Sequence, residues 1–157
     1  MSTDPEIVQN IGHALQGKLE ALTYPDTGKK IFKKTLLGFD EQKIKVQGDG
    51  VVAITYVTSA TDFLETFGRH NVPHYIRSVV AFVIRGTSQE KYERATIVMD
   101  YLLDLFQNDP SFYRLEEDGK RIVRDTDILN ADLTAAKLTG NKNDTLCVFT
   151  LRHHVFK

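Results

Sequence analysis

Apolar residues along this chain fall into two rhythms. Near the start, Ile7, Ile11, Leu15, Leu19 and Leu22 recur every three to four positions, the spacing that lays one apolar stripe along a helix. Thr3 or Asp4 stands where an N-cap belongs, Pro5 sits in the first turn, and Glu6 completes a capping box on Thr3. Gly12 and Gly17 each weaken such a helix by about 1 kcal/mol relative to alanine, so it is expected to dock on something larger. The segment "YPDTGKK" ends it.

From residue 31 the rhythm shortens to β-type runs separated by glycine: "KKIFKKTLL", "KIKVQ", and "VVAITYVT" after the turn "GDG". The next stretch, "SATDFLETFGRHNVPH", has no clear period and is expected to be a long loop over 58–74. Loops of that length are usually functional or reach a partner. Phe63, Leu64 and Phe67 make it too apolar for a solvated linker. "HYIRSVVAFVIR" then gives the strongest strand signal, with Ile76, Ser78, Val80, Phe82 and Ile84 on one face and Tyr75, Arg77, Val79, Ala81, Val83 and Arg85 on the other. Both faces are apolar in the middle, which predicts a central strand covered on both sides.

A second helix is predicted over "TSQEKYERATIVMDYLLDLFQND", with Tyr92, Ala95, Val98, Met99, Leu102, Leu105 and Phe106 on its inner face and "NDP" as its stop. "FYRLEEDGKRIVRD" reads as a hairpin turning at "EEDG", with Phe112, Leu115, Ile122 and Val123 across its strands. "DILNADLTAAKLTG" fits either a strand or a short helix, "NKND" a turn, and "TLCVFTLRHHVFK" a closing strand. The sum is an α+β fold in one domain over 1–157: a mostly antiparallel sheet flanked by two helices, with a long loop and a β-hairpin.

Composition narrows the function classes. A net charge of -1 exerts no global pull toward nucleic acid or anionic membrane. No apolar run reaches the ~20 residues of a membrane span, and "MSTDPEIVQN" lacks a signal-peptide profile, so synthesis in the cytoplasm is expected. The single cysteine, Cys147, excludes an internal disulfide or a multi-cysteine zinc site. Its apolar, strand-like surroundings predict a buried, inert thiol.

Several motifs invite a chemical reading. "VIRGTSQE" has the layout strand, glycine, helix start, which phosphate-binding loops share. It has one glycine, Gly86, and no lysine before Lys91, while Glu90 would repel phosphate. Thr87 as N-cap and Glu90 three residues on form a capping box instead, which predicts a structural corner. His70 and His74 flank a proline without helical context, His13 stands alone, and His153 and His154 are neighbours in a strand and point to opposite faces. "DTDILNAD" lacks the glycine and glutamate of a calcium loop, having Asn130 and Ala136 in their places. Asp100 and Asp104 lie one helical turn apart, available for acid–base work or as a solvated face.

Charge is placed unevenly. Lys29, Lys30, Lys33, Lys34, Lys43 and Lys45 crowd residues 29–45, whereas Glu116, Glu117, Asp118, Asp125 and Asp127 fall within 116–132. The lysines suit an edge strand guarded against aggregation or a rim for an acidic partner. No metal or cofactor set emerges.

The order of elements resembles the tail terminator (tail completion) proteins of long-tailed bacteriophages. An amphipathic helix, a β-section with a long segment, "SVVAFVIRG" running into "TSQEKYERATIVMDYLLDLF", and a terminal hairpin with a last strand carry the likeness over most of the chain. Head–tail connector proteins share its size. The resemblance implies a non-enzymatic virion subunit with an α/β fold and no cofactor. Such proteins form a ring, commonly six-fold, that caps the tail tube, stops its growth and meets the head connector, while DNA passes through the lumen without sequence-specific binding.

On that view the lysine and acid sets are expected to pair between neighbours, and Phe63, Leu64 and Phe67 to pack on a neighbour or the tube. Acids of "EEDG" and "RDTD" would face the lumen. The alternative is a small soluble α+β enzyme or ligand-binding domain using Asp100, Asp104, His70 and His74 in a pocket.

Overall fold

The computed structural model describes residues 6–39, 50–65, 71–138 and 142–155. The elements in chain order are α1 (Ile7–Glu20), β1 (Lys34–Leu37), β2 (Val51–Glu65), β3 (Asn71–Ile84), α2 (Gln89–Asn108), α3 (Pro110–Tyr113), β4 (Glu116–Glu117), β5 (Lys120–Arg121), β6 (Val123–Ala136) and β7 (Asp144–Val155). Five strands form one sheet in the order β1-β2-β3-β7-β6, and β4-β5 form a separate two-stranded ribbon. All pairings are antiparallel except β1 with β2. The α+β class with a mostly antiparallel sheet holds.

The helical stripe of α1 is buried at all five expected positions, Ile7, Ile11, Leu15, Leu19 and Leu22. Gly12 has a use that periodicity did not show. A Cβ there would come within 3.2 Å of Leu37 Cδ1, so glycine lets α1 lie close against the end of β1. The expected cap at Thr3 or Asp4 and the strand "KIKVQ" lie outside the described residues. The strand expected from residue 29 shrinks to four residues. The chain first closes a small loop, in which Ile31 N–H donates to the Leu22 carbonyl at 3.1 Å and Tyr24 N–H to that of Lys29 at 2.8 Å.

The segment 58–74 is not a long loop. β2 continues to Glu65 and β3 starts at Asn71, paired from Ser59↔Arg77 to Glu65↔Asn71. A bulge between Val57 and Ser59 shifts the alternation by one residue, and that shift erased the period-two signal in the sequence.

β3 is the central strand, as expected. Ile76, Ser78, Val80, Phe82 and Ile84 are completely buried in the main core, which they share with α1, α2 and α3. Val79, Ala81 and Val83 join Val52 and Ile54 in a smaller cluster on the other face. Both long helices therefore pack on the same face of the sheet.

Three local expectations need correcting. α2 is capped by Ser88, whose Oγ accepts from Lys91 N–H, and not by Thr87. Tyr92 is exposed, so the inner face begins at Ala95. Phe112 belongs to α3 and not to a hairpin strand, because Asp109 caps a new turn with Pro110 at its start. The hairpin itself is two residues a side, turning at Asp118 (φ 52°) and Gly119 (φ 74°), the pair of positive φ angles a two-residue hairpin loop requires. The ambiguous "DILNAD" segment is strand β6.

Candidate functional site

The Gly86 corner resolves as a clasp. Gly86 takes φ 90°, which favours glycine. Its N–H donates to Asp144 Oδ1 at 3.1 Å, and its carbonyl accepts from Thr145 Oγ1 at 2.8 Å. The second Asp144 oxygen accepts from Leu138 N–H at 3.2 Å. These groups are committed to the fold, and the end of β3, the start of β7 and the end of β6 are tied into one knot.

His153 is a second internal tie. It is fully buried on β7, with Nε2 2.6 Å from Ser78 Oγ on β3 and Nδ1 2.8 Å from Thr126 Oγ1 on β6. Burial holds its pKa down at about 3, so the ring is neutral and links three strands by hydrogen bonds. A serine, a histidine and a threonine in line resemble a nucleophile relay, but no substrate reaches a site sealed this way. Cys147 is buried too, and burial, aided by the charge of Asp132, pushes its thiol up to about 12. That thiol is inert, as expected.

His154 points to the opposite face from His153, as the strand reading required. It meets His74, ring centroids 4.4 Å apart, and Tyr75 at 5.1 Å. Arg152 lies over the Tyr75 ring at 4.7 Å and pairs with Asp127 at 2.9 Å. Sequence reasoning missed this cluster because only the register Tyr75↔His154 brings the two histidines together.

Of the enzyme candidates, His70 lies outside the described residues. Asp100 and Asp104 face solvent on α2, where Asp104 Oδ1 accepts from Asn108 Nδ2 at 2.7 Å. Among the described residues, no group of three or more histidine, cysteine, aspartate or glutamate side chains is placed to hold a metal ion.

The charged sets occupy opposite ends of the strand order. Lys29, Lys30, Lys33 and Lys34 are exposed at and beside β1, one edge of the sheet; Lys43 and Lys45 lie outside the described residues. Asp125 and Asp127 are exposed on β6, the other edge, and Glu116 and Asp118 are exposed on the nearby ribbon, with Glu117 half-buried. The pairing of β3 with β7 stops at Tyr75↔His154, whereas β2 and β3 stay paired to Glu65↔Asn71. Among the described residues, the β2–β3 ribbon thus outruns its neighbours as a two-stranded arm. Phe63 and Leu64 fall on it, and Phe67 lies outside the described residues. Pro73, which has no N–H to give, stands past the end of the described β7 register.

A cleft of about 1110 Å³ lies between residues 24–33 and the first half of α2. Tyr24, Ile31 and Phe32 line one wall, and Ile97 and Tyr101 the other. Burial raises the Tyr24 phenol, opposed by the charge of Arg94 and aided by that of Asp26. No sequence motif announced this cleft, since it arises from a turn packing on a helix some 65 residues later.

Against known proteins, no protein-family model matches the chain and no curated protein matches its sequence. Among the described residues, no helix is long and apolar enough to cross a membrane.

Proposed function

We propose that this chain is a structural subunit that closes with copies of itself into a ring, of the kind that caps a phage tail tube, ends its growth and meets the head connector. The observation that carries the reading is the placement of the two charged sets at opposite edges of one sheet. A ring needs two different patches on each subunit, facing away from one another, so that each copy binds the next head to tail. Lysines at the β1 edge and acids at the β6 edge supply patches of opposite sign.

The edges support the same reading on physical grounds. β6 runs for 14 residues, and among the described residues only β7 pairs with it. A long open edge invites pairing with another chain unless it is managed. Here acids mark it, and lysines mark the opposite edge, so like edges repel and unlike edges attract. In this proposal the tail tube and the head connector meet the two rims of the ring. DNA passes through its lumen, and the assembled protein belongs to the virion.

The test is sedimentation across a wide concentration range with electron microscopy of the heaviest species. A closed ring of several copies, commonly six in the resembled family, with a central hole is the expected outcome. A strict monomer at every concentration, unchanged by added tail tubes, overturns the reading.

A further inference from the structure

We infer that the β6 edge of one copy adds to the β1 edge of the next by backbone hydrogen bonds, so that one sheet runs through the contact. The inference rests on the ring reading and names the bond that closes it. Among the described residues, each edge strand is paired on one side only, β1 with β2 and β6 with β7. β1 runs parallel to β2, and each of the three further pairings reverses direction. β6 therefore runs opposite to β1. Copies set side by side in one orientation around a ring axis bring the two together antiparallel, the more stable kind of pairing.

The backbone groups offered by the two edges are complementary. Gly38 N–H donates to the Thr55 carbonyl at 3.0 Å, so alternation turns the groups of Leu36 toward β2 and those of Thr35 outward. There the Thr35 carbonyl accepts from Gln16 Nε2 at 3.3 Å. Thr35 is on the helix face, two residues before Leu37, which lies against Gly12 of α1. Thr126 is on that face too, bonded to His153 Nδ1. β6 is the opposite edge of the sheet and runs the opposite way, a half-turn in the sheet plane, so its helix-face residues also present their backbone outward. The Thr126 N–H donates to Asp125 Oδ1 at 3.0 Å. One edge thus covers an acceptor and the other a donor, each with a side chain of its own. Together they are the two halves of one bond between copies.

Placing Thr35 opposite Thr126 sets the register. Lys34 then stands opposite Asp127 and Leu36 opposite Asp125. All four are on the helix-free face, where Leu36 packs with Val52 and Ile54 and the two acids oppose Arg152 and His154 of β7. Irregularities between Val123 and Asp125 and between Ile128 and Asn130 bound the straight stretch 125–128, which matches the four residues of β1. Arg152 already engages Asp127 at 2.9 Å, and Arg124, exposed beside Asp125, has the sign of the lysines. Lys33 N–H is committed to the Val51 carbonyl at 2.8 Å. Charge therefore sets direction and register, and the paired threonine backbones carry the strength.

The experiment compares two full-length variants that alter no charge, Thr35→Pro and Thr35→Val, each checked for cooperative unfolding. Proline removes the outward N–H and takes no bond from β2, which is where edge strands accept it. Thr35→Pro is expected to associate about tenfold more weakly than the wild type, or worse, and to form no rings by electron microscopy. Thr35→Val keeps the N–H and is expected to assemble within about twofold of the wild type. Should Thr35→Pro fail to fold, hydrogen exchange in the wild type reads the same bond. The Thr35 amide is then expected to exchange about tenfold more slowly in rings than in dissociated protein. Rings formed by Thr35→Pro as readily as by the wild type overturn the strand addition and leave the ring reading standing. So does a Thr35 amide whose exchange is unchanged by assembly, and so does equal weakening by proline and valine, which would assign the contact to the hydroxyl. A wild type that never self-associates removes both.

Discussion

The two ends of the sheet are built on opposite plans. At the Gly86 end, β3, β6 and β7 finish together, and Asp144 and Thr145 satisfy the turn groups from within the chain. At the arm end, β2 and β3 continue past the last β7 pairing and carry their ribbon beyond the sheet. Among the described residues, the strands are tied together at one end and β2 and β3 run on beyond the others at the other. The cleft lies by the tied end, where Val51, one of its lining residues, pairs with Ile84.

The sharpest way to break that contrast is to unfasten the completed end. Asp144 is 1% exposed and accepts from two backbone N–H groups on different segments. Asp144→Ala leaves two half-buried donors without that acceptor, and urea denaturation is expected to show a loss of about 1–3 kcal/mol. A loss under 1 kcal/mol would mean that the clasp does not hold this end together.

The next largest effect concerns His153 and is read through pH. Its folded pKa of about 3 lies below the ordinary 6.5, so the unfolded chain takes up this proton first. Its stabilising contribution is complete above pH 6.5 and is lost as pH falls from 6.5 toward 3, with a slope of up to about 1.4 kcal/mol per pH unit. His153→Leu is expected to cost about 1–3 kcal/mol at neutral pH by stranding the Ser78 and Thr126 hydroxyls. Combining it with Ser78→Ala and Thr126→Val is expected to recover part of that loss and to flatten the acid slope. An unchanged slope in the triple variant would place the acid sensitivity elsewhere.

These two ties also mark what the sequence made legible. The stripe of α1, the central position of β3 and the inner face of α2 after Tyr92 all followed from spacing, because burial on one face forces a period. The arm did not, because the bulge at Val57–Ser59 offsets the alternation. The hairpin was overextended because Asp109 and Pro110 start a helical turn where strand residues seemed to run on. Neither Asp144 beside Gly86 nor His74 beside His154 was foreseeable. Such pairs are set by register between distant strands, and a single sequence carries no trace of which residues will face each other.

The arm end and the sheet edges are tested by assembly and not by stability. Reversing Lys33 and Lys34 to glutamate is expected to weaken self-association about tenfold at low salt, and less at high salt because exposed charges are screened. The folded monomer should keep its unfolding midpoint, since both side chains are exposed. Unchanged association at both salt concentrations would remove the charged edges from the assembly.

The smallest effect separates the arm's base from the rest of the open end. Arg152 bridges β7 to Asp127 at 2.9 Å and covers Tyr75 at 4.7 Å, next to the His74–His154 contact. Both members of the ion pair are substantially exposed, so water screens their attraction and holding two long side chains in place costs entropy. Arg152→Met, which keeps most of the apolar stem over the ring, is expected to cost under about 1 kcal/mol in denaturation. Arg152→Ala is expected to cost more, because it uncovers Tyr75. Equal losses in the two variants would show that charge and not coverage fastens the root of the arm, and would put the rigidity of the arm under the control of salt.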